Sequence, residues 1–239
     1  FEMQALKNAD HILAASAVTA KLTKAIFGLK NEIQVIPNSI DTELFKSVQI
    51  PEVSNRILYY GSIIRKKGVL ELAEICNLVF KDNASARLIL AGNDVKDVFT
   101  GRSTQELFME VVKSKFHNQI EFKGLLPYKA VQEEIAKASV VVLPSFAEAL
   151  PMTWIEAMAM EKALVTSNIG WANEVMIDGE TGYAVDPKDH QAYSDAILQL
   201  LDSETLRKRM GINARKRVSE KFATQVVVKQ NLEFYKSLV

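Results

Sequence analysis

V-V-V-L-P-S-F-A-E-A-L-P-M-T-W-I-E-A-M-A-M-E, from Val140 to Glu161, decides how this chain folds. Four aliphatic residues, Val140 to Leu143, stop at Pro144-Ser145, which predicts a strand buried on both faces, as in a parallel sheet. Pro151 suits the first turn of a helix, where a missing N–H costs nothing. Met152 to Met160 continues as an apolar helix. The order strand, loop, helix N-terminus presents free N–H groups and a partial positive charge, which together suit a phosphate. Ala147 and Ala149 are small enough for a ligand to approach the backbone.

Two acids frame the loop, Glu148 before Pro151 and Glu156 within the helix, with seven residues between them. An isolated pair of this spacing is usually two solvated charges. Here Glu156 falls among Trp154, Ile155, Ala157, Met158 and Met160, and a carboxylate in so apolar a helix needs a specific partner.

The same alternation runs along the chain. Strands are expected at Ile57–Tyr60, Arg87–Ala91, Ile120–Lys123, Val140–Leu143, Leu164–Ser167 and Tyr183–Val185. Helices are expected to about Phe80, at Thr104–Lys115, Tyr128–Lys137, Asp189–Leu200, Glu204–Glu220 and Thr224–Leu238. Strands alternating with helices give an α/β fold, a Rossmann-like doubly wound parallel sheet, whose ligands sit beyond the carboxyl ends of the strands. Gly61, Gly92, Gly124, Ser145 to Glu148 and Gly170 each follow a strand, which points to one shared pocket. Upstream, Phe1–Lys7 and Thr19–Phe27 read as helices and Ile12–Ala15 as a strand with no sheet to join. Such an apolar edge should pack on the C-terminal helix or drive self-association through residues 1–27. The opening at Phe1, mid-helix and without a leader, reads as a piece cut from a longer chain.

Composition narrows the function. The 239 residues are 48% hydrophobic and 24% charged, with 29 basic and 29 acidic side chains. Zero net charge implies no general attraction to nucleic acid or anionic membrane. No apolar run approaches the ~20 residues of a membrane span. Cys76 is the sole cysteine, so no internal disulfide or multi-cysteine metal site exists. His11, His117 and His190 lack ligand spacing and no D-x-D pair occurs, so no metal or other cofactor is expected. The cationic stretch from Arg207 to Arg217 reads as a solvated helix face. No G-x-G-x-x-G follows the first sheet strand, which argues against a nicotinamide dehydrogenase.

P-S-x-x-E-(small)-L-P-M-x-x-I-E-A-M-A resembles the signature of the family 4 (group 1) glycosyltransferases, retaining enzymes of the GT-B fold. From Val35 onward the chain is similar to that family's C-terminal, donor-binding domain, motif after motif. I-P-N-S-I-D, residues 36–41, resembles the interdomain crossing. The resemblance divides the chain into residues 1–37, a remnant of the N-terminal acceptor domain and linker, residues 38–222, the nucleotide-sugar-binding domain, and residues 223–239, a C-terminal helix.

It also implies roles. Glu148 would be the catalytic acid, facing the sugar and supporting charge at the reacting carbon. Glu156 would hold the ribose hydroxyls. Lys67 would hold the donor diphosphate, with the helix start at Ala149, Leu150, Pro151, Met152 and Thr153. Gly61 and Ser62 would line the phosphates, although Ser62 stands where the family often has Arg; Arg65 would then substitute through its reach. Gly124 and Leu125 would meet the nucleotide base. Trp171 would be a core residue or a wall of the sugar pocket. Glu161 occupies the place of a helix-ending Gly, so that helix end should be strained or reshaped. The implied activity is transfer of a sugar, with retention, from a nucleotide-diphospho-sugar to a glycan or lipid acceptor held by the other domain. The implied location is cytoplasmic, with any peripheral membrane contact made by that domain. The alternative is a nucleotide-sugar-binding module without catalysis.

Overall fold

The computed structural model describes residues 2–238; Phe1, the expected start of the first helix, and Val239 lie outside the described residues. Six parallel strands form the main sheet: β3 (Arg56–Tyr60), β4 (Arg87–Ala91), β5 (Ile120–Gly124), β6 (Val140–Leu143), β7 (Leu164–Ser167) and β8 (Gly182–Val185). Their order is β5-β4-β3-β6-β7-β8. The chain therefore lays strands outward from β3 in one direction, returns, and continues from β6 in the other. The crevice between β3 and β6 is the switch point at which such sheets bind ligands. Residues 57–60 and 140–143 are buried, as central strands of a doubly wound sheet must be.

Helices cover both faces. On one, α3 (Val69–Asp82) packs on α8 (His190–Asp202) and α4 (Thr104–Val111). On the other, α6 (Met152–Ala159) packs on α9 (Glu204–Lys221). Trp154 of α6 is wholly buried and is among the largest such side chains. Where α9 crosses the end of α6, a Cβ on Gly211 would fall 2.0 Å from the Glu161 carbonyl oxygen. The backbones touch there, and the helical cost of a glycine is accepted for that contact. Glu161 itself takes φ +59, the left-handed conformation expected of a glycine at this helix end.

Several expectations need correction. The helix expected over Thr104–Lys115 stops at Val111 and continues as a 3₁₀ turn, Ser114–Gln119. Buried Asn77 takes both groups at the break, donating to the Val111 carbonyl at 3.0 Å and accepting from the Lys113 N–H at 2.8 Å. The cationic stretch of α9 is not a uniformly solvated face. Arg207 donates to the Leu200 and Leu201 carbonyls closing α8, Arg215 to Ala159 closing α6, and Arg217 to Val175 at the end of α7 (Ala172–Val175). One helix thus satisfies the orphan carbonyls of three others. Lys208, Arg209 and Lys216 remain exposed.

The N-terminal strand is not unpaired. β1 (Ile12–Ala14) pairs in parallel with β2 (Ile33–Val35), a strand just ahead of the segment that reads from sequence as the interdomain crossing. α1 (Glu2–Lys7) precedes this two-stranded sheet, and α2 (Ala17–Phe27) connects its strands. The segment also meets the C-terminal helix α10 (Thr224–Lys236), where the His11 and Phe234 rings lie edge to face at 6.1 Å.

Candidate functional site

The candidate site occupies the carboxyl edge of the sheet at the β3/β6 switch point. After β3 the chain makes a 3₁₀ turn, Arg65–Lys67, and reverses at Gly68, φ +71. A Cβ on Gly68 would lie 2.0 Å from the Pro144 carbonyl oxygen, so a glycine is required there for the two loops to touch. Phe146 N–H donates to the Lys66 carbonyl at 2.9 Å and ties the loops together. Across this junction Lys67 Nζ lies 3.3 Å from Glu148 Oε1, with both side chains about four-fifths buried. Ser145 Oγ donates to the same carboxylate oxygen at 3.0 Å. Gly61 sits beside them, its missing Cβ leaving Lys67 Nζ in van der Waals range.

The α6 N-terminus opens on the same edge. Pro151 precedes it, and no side chain caps its first turn. Its N–H groups face outward with the positive end of the helix dipole. One turn on, half-buried Glu156 accepts from the Tyr128 hydroxyl at 3.3 Å. Burial pushes the Glu156 carboxyl above its ordinary range, while Tyr128, Tyr60 and the Lys67 charge pull it back. The Tyr128 hydroxyl is in turn pushed up to about 12 by burial and by the Glu156 charge. Tyr60 bonds the Thr153 carbonyl and holds the first turn of α6 against β3.

The residues named from sequence are not all brought together. Gly61, Lys67 and Glu148 meet at one place, and Glu156 of α6 lies near enough for its carboxyl to feel the Lys67 charge. Gly124, at φ +63, and Leu125, 79% exposed, stand at the β5 edge. Arg65 is turned elsewhere: its guanidinium grips Asp97 at 2.6 and 3.0 Å, which raises its own pKa and holds the Asp97 carboxyl well below the usual range. Ser62 contributes its carbonyl to the Tyr59 hydroxyl at 2.7 Å. Gly92 and Gly170 are taken up by packing, the first against the Gly61 carbonyl and the second against Val18. Trp171 is buried in the core. Ala149 is exposed, but its carbonyl accepts from Ser16 Oγ at 2.7 Å and Thr19 Oγ1 at 3.2 Å.

Four residues of the site environment escape a sequence reading: Tyr60, Tyr128, Ser16 and Glu174. The tyrosines had a signal, since each adjoins a loop residue of the site. Ser16 and Glu174 had none. Glu174 accepts from the N–H groups of Ala17 and Val18 at 2.8 and 3.1 Å and caps α2 from across the fold. A separate cleft of about 560 Å³ lies between β2 and α10, lined by Gln34, Phe222, Gln230 and Glu233 among others. It touches the site through Leu150 and Glu174, and neither Lys67 nor Glu148 lines it. No cluster of metal-ligating side chains occurs among the described residues, and no described helix is long and apolar enough to cross a membrane.

This parallel sheet, with Lys67, Glu148, Glu156 and an open helix start near its switch point, is a doubly wound, Rossmann-like α/β fold. The family model described as "Glycosyl transferases group 1" matches residues 40–217, and the chain belongs to that family. The Staphylococcus aureus capsular polysaccharide biosynthesis glycosyltransferase CapM is 26% identical over 92% of this chain and 56% of its own length. A Mycobacterium tuberculosis glycogen synthase is 27% identical over 96% of this chain and 55% of its own length. The chain therefore spans about half the length of these curated relatives. Among solved structures, sucrose-phosphate synthase from Thermosynechococcus elongatus superposes with TM-score 0.83 and 25% identity, over 99% of this chain and 60% of that one. Anabaena HepE in complex with UDP and glucose superposes with TM-score 0.84 and 20% identity, over 98% and 65%.

Proposed function

We propose that this chain is the donor-binding half of a retaining glycosyltransferase that uses a nucleotide-diphospho-sugar, with residues 38–222 as the donor domain. The observation that carries this reading is the Lys67–Glu148 pair beside the uncapped start of α6. A diphosphate entering the crevice takes Lys67 and the N–H groups of the first α6 turn. It thereby neutralises the charge that builds on the leaving group, which is electrostatic work. Glu148, released from Lys67, faces the sugar and supports positive charge at the reacting carbon. Glu156 accepts the ribose hydroxyls. The UDP and glucose bound by HepE support a donor of this class. The glycan or lipid acceptor binds outside this chain, in the part of the relatives that it does not span.

Thermal unfolding with a panel of nucleoside diphosphates tests the reading. The cognate one should stabilise the fold by about 2.7 kcal/mol at a hundredfold excess over Kd. No shift with any of them sinks it. Given donor and acceptors, the chain should bind without transferring, because nothing holds the acceptor within the ~3–3.5 Å needed for attack. Transfer that disappears in Glu148→Gln would instead make these residues a complete enzyme.

A second reading, a binding module without catalysis, is favoured by one observation. Ser62 stands where the resembling family often has Arg, and Arg65 is held by Asp97, which leaves Lys67 to face the phosphates without an arginine beside it. Activity of the longer protein against its donor decides between the two.

A further inference from the structure

Tyr128 opens α5 (Tyr128–Lys137), directly after the β5 edge, and is 53% exposed. Packing explains its ring, which meets Phe45 edge to face at 5.0 Å. Phe45 is itself 2% exposed, and Gln132 of α5 donates to the neighbouring Leu44 carbonyl at 2.9 Å, so ring and helix are both anchored. Packing does not explain the hydroxyl, because a phenylalanine would make the same contact with Phe45. The hydroxyl donates instead to Glu156 Oε1, 28 positions along the chain and on another helix.

Glu156 needs such a partner, because burial works against its ionised form. The groups that face it are Tyr128 from α5, Tyr60 from β3 and Lys67 from the turn after β3, and all three favour the carboxylate. Two of them have other engagements. Tyr60 also bonds the Thr153 carbonyl, and Lys67 lies 3.3 Å from Glu148. The Tyr128 hydroxyl has Glu156 as its one hydrogen-bond partner among the described residues.

An ionised carboxylate only accepts hydrogen bonds, through two oxygens with about four lone-pair positions. The 2′- and 3′-hydroxyls of a ribose both donate, so a carboxylate that takes both must be held in one orientation. Tyr128 takes one position on Oε1, restrains the rotation of the carboxylate and leaves the remaining positions for a ligand. We infer that Tyr128 is a positioning residue for Glu156: its hydroxyl sets the carboxylate in register for two ribose hydroxyls, and so selects ribonucleotides over 2′-deoxyribonucleotides. The inference rests on the reading of Glu156 as the ribose acceptor.

Calorimetric titration of the chain tests it, with the tightest-binding of UDP, GDP and ADP and with the 2′-deoxy counterpart of that nucleotide. The parent chain should prefer the ribonucleotide about tenfold or more, the worth of a hydrogen bond to a charged group. Tyr128→Phe keeps the ring on Phe45 and should narrow that preference about threefold or more, chiefly by weakening the ribonucleotide. It should also move the acid loss of ribonucleotide binding to higher pH, because burial then acts on Glu156 with one donor fewer to oppose it. A tyrosine that only supports the fold would move neither the preference nor the pH at which binding fades, and that result overturns the inference. Thermal midpoints measured on every variant separate these effects from a folding defect. Glu156→Ala should abolish the preference. A preference that survives Glu156→Ala removes Glu156 from the ribose and takes the inference with it. A preference lost in Glu156→Ala but intact in Tyr128→Phe overturns the inference and leaves the Glu156 reading standing. A parent chain without preference overturns it as well, and binding of none of the three nucleotides overturns it together with the donor reading.

Discussion

Lys67 and Glu148 are partners before any ligand arrives, their charged atoms 3.3 Å apart between two loops that follow neighbouring strands. The pair lets a lysine and a carboxylate share a partly buried crevice without leaving either charge alone. A bound diphosphate competes with Glu148 for Lys67. Lys67→Ala is therefore expected to weaken nucleoside diphosphate binding about tenfold or more, the value of a charge-assisted hydrogen bond, with the plain nucleoside unaffected. Glu148→Gln should tighten the same diphosphate by freeing Lys67. Calorimetric titration checks both, and equal losses for diphosphate and nucleoside in Lys67→Ala would remove Lys67 from the phosphate site.

Glu156 links ligand binding to stability with the opposite sign. Burial raises its carboxyl pKa in the fold, so its stabilising share is complete below the ordinary Glu range and is lost as pH rises through the raised value. Glu156→Gln should match the parent in acid and become the more stable protein as pH approaches neutrality. It should also bind nucleosides more weakly, having lost a charged acceptor for ribose hydroxyls. Denaturant unfolding across pH, paired with nucleoside titration, reads both effects. A variant less stable at neutral pH would contradict the burial account.

Glu161 holds a left-handed backbone, φ +59, at the end of α6. Its side chain is exposed, so little packing is lost on removing it. Glu161→Gly should raise stability by about 1 kcal/mol, the cost of that conformation for a residue with a Cβ. A rise in the urea midpoint at unchanged slope is the expected signature.

Arg215 joins three carbonyls, those of Thr42, Phe45 and Ala159, at the foot of α6. Arg215→Ala should destabilise the fold by about 3 kcal/mol, because it leaves partly buried carbonyls unpaired. Arg215→Lys should recover only part of this, since an ammonium lacks the planar fork that reaches several acceptors at once. Full recovery by Lys would show that charge alone matters here.

The architecture was legible along the chain because its causes are local. An aliphatic run closed by Pro144 makes β6, Pro151 opens α6, and both elements stand where the pattern put them. The alternation of strands and helices implied the parallel sheet, and Glu161, in the place of a helix-ending glycine, marked the strained end of α6. Glu156 stood out as a carboxylate set in an apolar helix, whereas Lys67 and Glu148 took their expected roles from the resemblance to the family.

What the sequence could not decide was which distant group each side chain would meet. Arg65 looks like a second phosphate ligand until Asp97, thirty-two positions away, takes its guanidinium. The arginines of α9 look like a solvated face until the helix is laid across the ends of α6, α7 and α8. β1 lacks a partner until β2 pairs with it, and α2 lacks its Glu174 cap until the chain has closed on itself. Periodicity reports which face of an element is buried. Hydrogen-bond partners and charge pairs depend on which atoms come within about 3 Å, and that is set only when every element has packed.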